Sequence, residues 1–336
     1  MTDPAPPNAT AAPQAVALKS DKLPLWLRLR IWASRYLYSG RSRGGSLGTI
    51  VRLPFGKVVK LNTSRNELDA MEYVRSHTSI PVPKLYEVYE RPNGAVHLVM
   101  ECLPGDGTDY ANMSPEQIRA FGQELSGYLQ QLRSLEPPEK GFIGSVTRGS
   151  LLDHRVGHVR FGPFNSVEDF HSYLRLGGPL ETWTRDPVVK IIHGKSGAYR
   201  VRFTHADLNP SNIQYHNGRI VGIIDWEFAG WYPEYWEYTK MYFADRPVYN
   251  MFFDAVEGDP GIEKYPEELK AERDIWRLIS PWAYDDYYEQ PHNVAAVQSR
   301  KSAVNSSKTT QETRAGSSTD REVQKEGTIE PRNPED

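Results

Sequence analysis

The chain has 336 residues, 39% hydrophobic and 25% charged, enough for one large core or two modest ones. Lys plus Arg number 40 against 43 Asp plus Glu, a net charge of −3, which excludes a surface built throughout for nucleic acid. The single cysteine, Cys102, excludes an internal disulfide framework or a thiolate zinc cluster and suits a reducing, cytoplasmic setting.

Residues 1–21 are rich in Pro and Ala, lack the basic start and apolar core of a secretory signal, and are expected to be disordered. No apolar run reaches the roughly 18 residues of a membrane span. PLWLRLRIWASRYLYSG (24–40) predicts a short amphipathic helix carrying Arg28, Arg30 and Arg35. Such a helix suits a membrane surface or a packed face. Amphipathic helices mostly face cores, so Trp26, Leu29 and Trp32 are expected to pack on the folded domain.

GTIVRL (48–53) and KVVKL (57–61) read as strands joined by a tight turn around Pro54-Phe55-Gly56. A helix is expected over about 65–77, then strands in IPVPKLYEVYE (80–90) and AVHLVMECL (95–103). PGDG (104–107) breaks the pattern, which then turns helical. Over 114–135, Ser114 is the N-cap, Pro115 sits at N1, Gln117 completes a capping box, and Ile118, Phe121, Leu125, Leu129 and Leu132 form the apolar stripe. A strand-rich lobe (22–103) therefore meets a larger helical lobe (104–288), with a cleft expected at the junction. From Glu289 onward there is no aromatic residue, and 289–336 reads as a solvated tail.

Within the second lobe, YRVRFTH (199–205) predicts a strand, and NIQYHNGRIVGIID (212–225) a hairpin turning at Asn217-Gly218, the chemistry of a type I′ turn. The hairpin puts Asn212 and Asp225 at its open end, and Asp207 lies in the loop that enters it. Three oxygen-bearing side chains at one mouth suit phosphoryl transfer. One carboxylate can orient or deprotonate a hydroxyl, while an amide and a second carboxylate can hold magnesium. Taken singly, each of the three is ordinary turn chemistry.

His205-Ala206-Asp207-Leu208-Asn209-Pro210-Ser211-Asn212, followed by Ile223-Ile224-Asp225-Trp226-Glu227, resembles the aminoglycoside phosphotransferase family. AGWYPEYWEY (229–238), RLPFGKVVK (52–60), TSIPVPK (78–84), FIGS (142–145) and GPF (162–164) are similar to a fungal-type branch of it. The likeness runs from about 50 to 245. It implies an α+β, bilobal protein-kinase-like fold and an ATP- and Mg2+-dependent transfer of phosphate to a hydroxyl of a small molecule. Asp207 would be the catalytic base, with Asn212 and Asp225 the metal ligands. Ala206 stands where the family has Gly, and His205 is expected to brace the loop.

The strand-rich lobe should supply a phosphate-binding lysine and its carboxylate partner. Lys57 and Lys60 point to opposite faces, and the resemblance selects Lys60. Glu67 shares a helical face with Met71 and Val74 and is expected to pair with Lys60, although Ser64-Arg65-Asn66-Glu67 also fits a capping box. Met100, Glu101 and Leu103 should border adenine, with backbone groups of Glu101 and Leu103 making the base contacts. SGRSRGGSLGTIVRL carries no GxGxxG phosphate loop. After Asp225 the chain has Trp226-Glu227 and soon reaches Pro233-Glu234, leaving no room for a protein-kinase activation loop. A nucleotide-binding scaffold without turnover is the reading from another class. Asp245, Asp254, Glu257, Asp285 and Asp286 are acids available to an acceptor pocket, each read first as a solvated charge.

Overall fold

A computed structural model describes residues 18–19, 22–37, 49–105, 113–183, 187–243, 249–288 and 290. The segments 1–17 and 291–336, most of the glycine-bearing stretch before the first long strand, and Asp245 lie outside the described residues. The chain separates into two compact units, residues 1–281 and 282–336. Helix α9 (Pro281–Tyr288) leads into the second. Among the described residues, no helix is long and apolar enough to cross a membrane.

The first unit begins with a five-stranded sheet. Its strands are β1 (Leu18–Lys19), β2 (Ile50–Leu53), β3 (Lys57–Thr63), β4 (Leu85–Glu90) and β5 (Val96–Glu101), in the order β1-β4-β5-β3-β2. Val51, Leu53, Val59 and Val99 are buried on one side of it, the alternation expected of strands with one covered face. The β2–β3 turn passes through Phe55 and Gly56, both in the left-handed region (φ 65° and 64°). The Gly56 carbonyl accepts from the Cys102 amide at 2.8 Å, which ties this turn to the chain leaving β5.

Helix α1 (Leu25–Leu37) covers that apolar side, but not through the residues expected. Leu27 and Ile31 enter the cluster with Val51, Leu53, Val59, Tyr89 and Val99. Trp26, Leu29 and Trp32 are exposed instead. The helix is apolar on two sides, and the smaller side chains fit the sheet. Helix α2 (Arg65–His77) runs as expected, with Leu68, Ala70, Met71 and Val74 inward. Its N-cap, Ser64, makes no side-chain cap bond, so the alternative capping box at its start is not formed.

Helix α3 (Pro115–Ser134) opens the helical part. Ser114 and Gln117 form the reciprocal capping box, Pro115 sits in the first turn, and Phe121, Leu125, Leu129 and Leu132 are buried. It packs on α7 (Asn250–Gly258), while α5 (Pro187–Gly194) packs on α8 (Pro266–Leu278); α4 (Val167–Leu174) contributes Phe170 and Leu174 to the core. Strand β6 (Val201–Thr204) pairs antiparallel with β9 (Gly230–Pro233), the latter within the aromatic run AGWYPEYWEY (229–238). That run is core: Trp231, Tyr232, Tyr235 and Trp236 are buried. Strands β7 (Ile213–His216) and β8 (Arg219–Ile223) form the expected hairpin, with positive φ at both Asn217 and Gly218 as a type I′ turn requires. Helix α6 (Trp236–Met241) follows β9. The result is a mixed α+β, protein-kinase-like fold, strand-rich first and helical after.

Candidate active site

The β7–β8 hairpin does what its turn chemistry requires. Ile213 pairs with Ile223, and the Ile224 amide donates to the Asn212 carbonyl at 2.9 Å. Asn212 and Asp225 therefore leave the ladder side by side. Asp225 sits in the left-handed region (φ 68°, ψ 57°), a conformation that costs about 1–3 kcal/mol where a side chain must adopt it. From there a single 3-10 turn, Trp226–Phe228, brings Glu227 back toward the same place.

Lys60, on β3, reaches this corner. Its Nζ lies 2.8 Å from Glu67 Oε2 and 2.5 Å from Asp225 Oδ1. Lys57, three residues earlier, points the other way, its ammonium 4.6 Å from the centre of the Tyr86 ring. Glu67 is buried on α2 and also accepts from the Thr63 hydroxyl. Burial opposes the charge on Lys60, yet the carboxylates of Glu67, Asp225 and Glu227 outweigh it and hold the lysine above its ordinary value. Burial pushes Glu67 up against the pull of Lys60. Ligand atoms of Glu67, Asp225 and Glu227 lie within 4.8 Å of one another.

Asp207 forms the other half. Its Oδ2 accepts from the Asn212 amide nitrogen at 2.8 Å, and its backbone carbonyl accepts from the same nitrogen, also at 2.8 Å. Burial, against the attraction of Lys240 and with the repulsion of Asp225, pushes the Asp207 carboxyl up to about 6. Burial likewise pushes Glu227 up to about 7.

His205 joins the two halves. Its Nε2–H donates to the Ile224 carbonyl at 2.9 Å, and its Nδ1 accepts from the Asp207 amide at 3.2 Å. A carbonyl only accepts and an amide only donates, so the ring is neutral with its proton on Nε2. Burial drives its pKa down to about 4. It braces the loop, as expected, and has no spare nitrogen for proton transfer. The His205 amide donates to Glu237 Oε2 at 2.6 Å. Ala206, which follows, takes φ 63°, the left-handed region that suits glycine.

At the end of β5, the Glu101 amide donates to the Lys84 carbonyl at 2.9 Å, so that amide is already engaged within the sheet edge. Leu103 lies over β8: a Cβ on Gly222 would come within 2.0 Å of Leu103 Cδ1. Met100 is buried and pairs with Val58 on β3.

Sequence reasoning missed four residues here. Glu227 stands in the quoted motif, and its spacing from Asp225 was the available signal. Asn66, on α2, donates to the carbonyls of Glu227 and Ala229 at 2.9 and 3.0 Å, clamping the helix to the turn after Asp225. Lys240 is buried 2.5 Å from Asp153 Oδ1, whose other oxygen accepts from the Trp236 indole at 3.0 Å. Lys240 also carried a hint, as a lone cation in an aromatic run, whereas Asn66 and Asp153 carried none. Among the acids named for an acceptor pocket, Asp254 and Glu257 lie on α7, and Glu257 accepts from the Tyr238 hydroxyl at 2.9 Å. Asp285 and Asp286 lie on α9.

A strand-borne lysine paired to a helix glutamate, with an Asp/Asn/Asp set on a loop and hairpin, defines the kinase-like class of α+β protein. The chain matches the phosphotransferase enzyme family over residues 33–270, more than two thirds of its length, and belongs to that family. No protein of curated function matches it. Among solved structures it is similar to a thermostable mutant of aminoglycoside phosphotransferase APH(4)-Ia (16% identity, 77% of this chain, 89% of that one, TM-score 0.48). It is also similar to aminoglycoside phosphotransferase APH(3'')-Id from Streptomyces rimosus (14%, 76% and 99%, TM-score 0.45). A third is the amicoumacin kinase hAmiN, in complex with AMP-PNP, Ca2+ and Ami (18%, 72% and 70%, TM-score 0.39).

Proposed function

We propose that the protein transfers the γ-phosphoryl group of ATP, with Mg2+, to a hydroxyl of a small molecule. The observation that carries this is the Lys60–Glu67–Asp225 chain of ion pairs standing beside the Asp207–Asn212 pair, tied together through His205 and Ile224. Lys60 would hold ATP phosphates, kept in place by Glu67. Asp225 and Asn212 are the proposed metal ligands, with Glu227 close by. Their oxygen-rich donor set fits a hard divalent cation, which would neutralise phosphate charge when bound.

Asn212 holds one oxygen of Asp207, and the other, Oδ1, would meet the acceptor hydroxyl. A carboxyl raised to about 6 is ionised at neutral pH and still basic enough to draw the proton as the oxygen attacks. Adenine would lie against Met100 and Leu103, meeting the Glu101 carbonyl and the Leu103 amide. A protein acceptor fits less well, because the chain passes from Asp225 through one 3-10 turn directly into β9, with no activation segment between.

The test is Mg2+-dependent ATP consumption across a panel of amino sugars, amino alcohols and hydroxylated secondary metabolites. One acceptor should support turnover, and Asp207→Ala should lower kcat by about 10²–10⁴-fold. Nucleotide binding with no turnover over the whole panel would favour the scaffold reading instead.

A further inference from the structure

The segment 152–160 is closed at its base by Leu151 and Phe161. The Leu151 amide donates to the Phe161 carbonyl at 2.8 Å, and the Phe161 amide to the Leu151 carbonyl at 3.0 Å. Its inward charges are already neutralised: Asp153 meets Lys240 and the Trp236 indole, and the buried Arg155 pairs with Glu272 at 3.1 Å. Outward it presents His154, His158 and Arg160, all exposed, and from 154 to 161 it carries no acid. This loop stands next to the corner built around Asp225. The His154 ring centre lies 4.5 Å from that of Phe228, the last residue of the 3-10 turn that carries Glu227. Leu151 packs on Gly230, where a Cβ would come within 2.5 Å of Leu151 Cδ2.

Arg160 is the unusual member of the loop. Its Nε donates to Ser150 Oγ at 3.1 Å and its Nη2 to the Ser150 carbonyl at 2.8 Å, so neutral oxygens fix it. Among the described residues, none sets a carboxylate within ion-pairing distance of it. Arg148, Arg200 and Arg202, by contrast, each meet a glutamate, at 2.7, 2.7 and 2.5 Å. Partial desolvation lowers the Arg160 pKa, and Tyr232 and Glu227 offset part of that from nearby, which puts this cation within reach of the corner's charge. A guanidinium held in this way keeps its other N–H donors for a planar anion.

We propose that the acceptor is an anionic molecule, a hydroxylated carboxylate or phosphate monoester, whose charged group Arg160 binds with His154 alongside. The inference rests on reading the Asp207–Asp225 corner as a phosphotransferase site and names the class of acceptor that site takes. Arg160 is then a positioning residue: it seats the anionic end of the acceptor and so brings the hydroxyl to Asp207. An amino sugar fits less well. Its ammonium groups would meet Arg160 with like charge, and the one acid of the loop, Asp153, is engaged by Lys240 and Trp236. The other use for such a cation is a phosphate of ATP itself, and the experiment separates the two.

The experiment measures Mg2+-dependent ATP consumption with acceptors that differ chiefly in charge: glucuronate, glucose and glucosamine, then glycerate, glycerol phosphate, glycerol and aminopropanediol. The parent should favour the anionic members by at least about tenfold in kcat/KM. Arg160→Gln should raise KM for the favoured acceptor by about 10–100-fold with kcat little changed, and Arg160→Lys should restore part of the loss. In calorimetry Arg160→Gln should bind AMP-PNP with Mg2+ as the parent does, and a weakened affinity would assign Arg160 to the nucleotide and overturn the proposal. Preference for glucosamine or aminopropanediol, or a KM that Arg160→Gln leaves unchanged, overturns the acceptor class while the phosphotransferase reading stands. AMP-PNP binding by the parent without turnover of any member of either series overturns the acceptor class as well. A parent that binds no AMP-PNP with Mg2+ removes the phosphotransferase reading, and the acceptor class falls with it.

Discussion

At the scale of single residues, the segment around Asp207 is a set of groups held in costly states by their neighbours. His205 is the clearest. Its folded pKa of about 4 lies below the ordinary 6.5, so it contributes stability above pH 6.5 that is lost as pH falls toward 4, where only the unfolded chain has taken up the proton. The loss amounts to about 3 kcal/mol. Asp207, Glu227 and Glu237, pushed up to about 6, 7 and 7, act in the opposite sense and favour the fold as pH falls. The stability difference between the parent and His205→Asn isolates the histidine. It should shrink by about 3 kcal/mol between pH 7 and 4 in urea titrations, and a difference that does not change with pH contradicts the assignment. Ala206 gives a second check. A buried Ala→Gly change ordinarily costs about 1 kcal/mol, but relief of the left-handed φ of 63° offsets it here, so Ala206→Gly should leave the unfolding midpoint unchanged. A loss of about 1 kcal/mol or more would show that the strain is absent. Asp207, Asn212 and Asp225 could be named from their spacing, because a tight hairpin fixes where its ends lie. The spacing of Glu227 from Asp225 hinted at it, but where its side chain lies depends on a 3-10 turn that follows a left-handed residue, and no residue pattern announces that turn.

At the scale of elements, the joint between α2 and the turn after Asp225 decides whether Lys60 and Asp225 meet. Glu67 positions the lysine, and Asn66, its neighbour, bonds two backbone carbonyls of the turn. Asn66→Ala would leave the carbonyls of Glu227 and Ala229 without that donor, at a cost of about 2–4 kcal/mol. Denaturant unfolding measures it, and a change under about 0.5 kcal/mol would show that the joint is held elsewhere. The boundaries of α2 and α3 and the hairpin turn at Asn217-Gly218 were legible from caps, apolar spacing and turn chemistry, which are local. The buried face of α1 was not. Its sequence is apolar on two sides, and which side is covered depends on the sheet it meets, where Leu27 and Ile31 fit between Val51, Leu53 and Tyr89. Asn66 was equally hidden, since its partners lie about 160 residues away.

For the molecule as a whole, the sheet and the hairpin each contribute half of one charged corner, and the proposed nucleotide–metal site needs both. The order of elements was legible from residue 48 to 135, where strand and helix periods alternate cleanly, but β1 (Leu18–Lys19) falls in a segment whose composition reads as disordered. That Lys60 of β3 should end 2.5 Å from a carboxylate 165 residues later was legible only through the resemblance, because no local pattern encodes so distant a pairing. The pairing can be tested without knowing the acceptor, by calorimetric titration of a non-hydrolysable ATP analogue into the parent, Asp225→Asn and Asp207→Asn, each with and without Mg2+. The expected result is tight binding by the parent only with Mg2+, loss of that Mg2+ dependence in Asp225→Asn, and retention of it in Asp207→Asn. Equal affinity with and without Mg2+ in the parent, or an Asp225→Asn variant that binds as the parent does, would contradict a nucleotide–metal site at this corner.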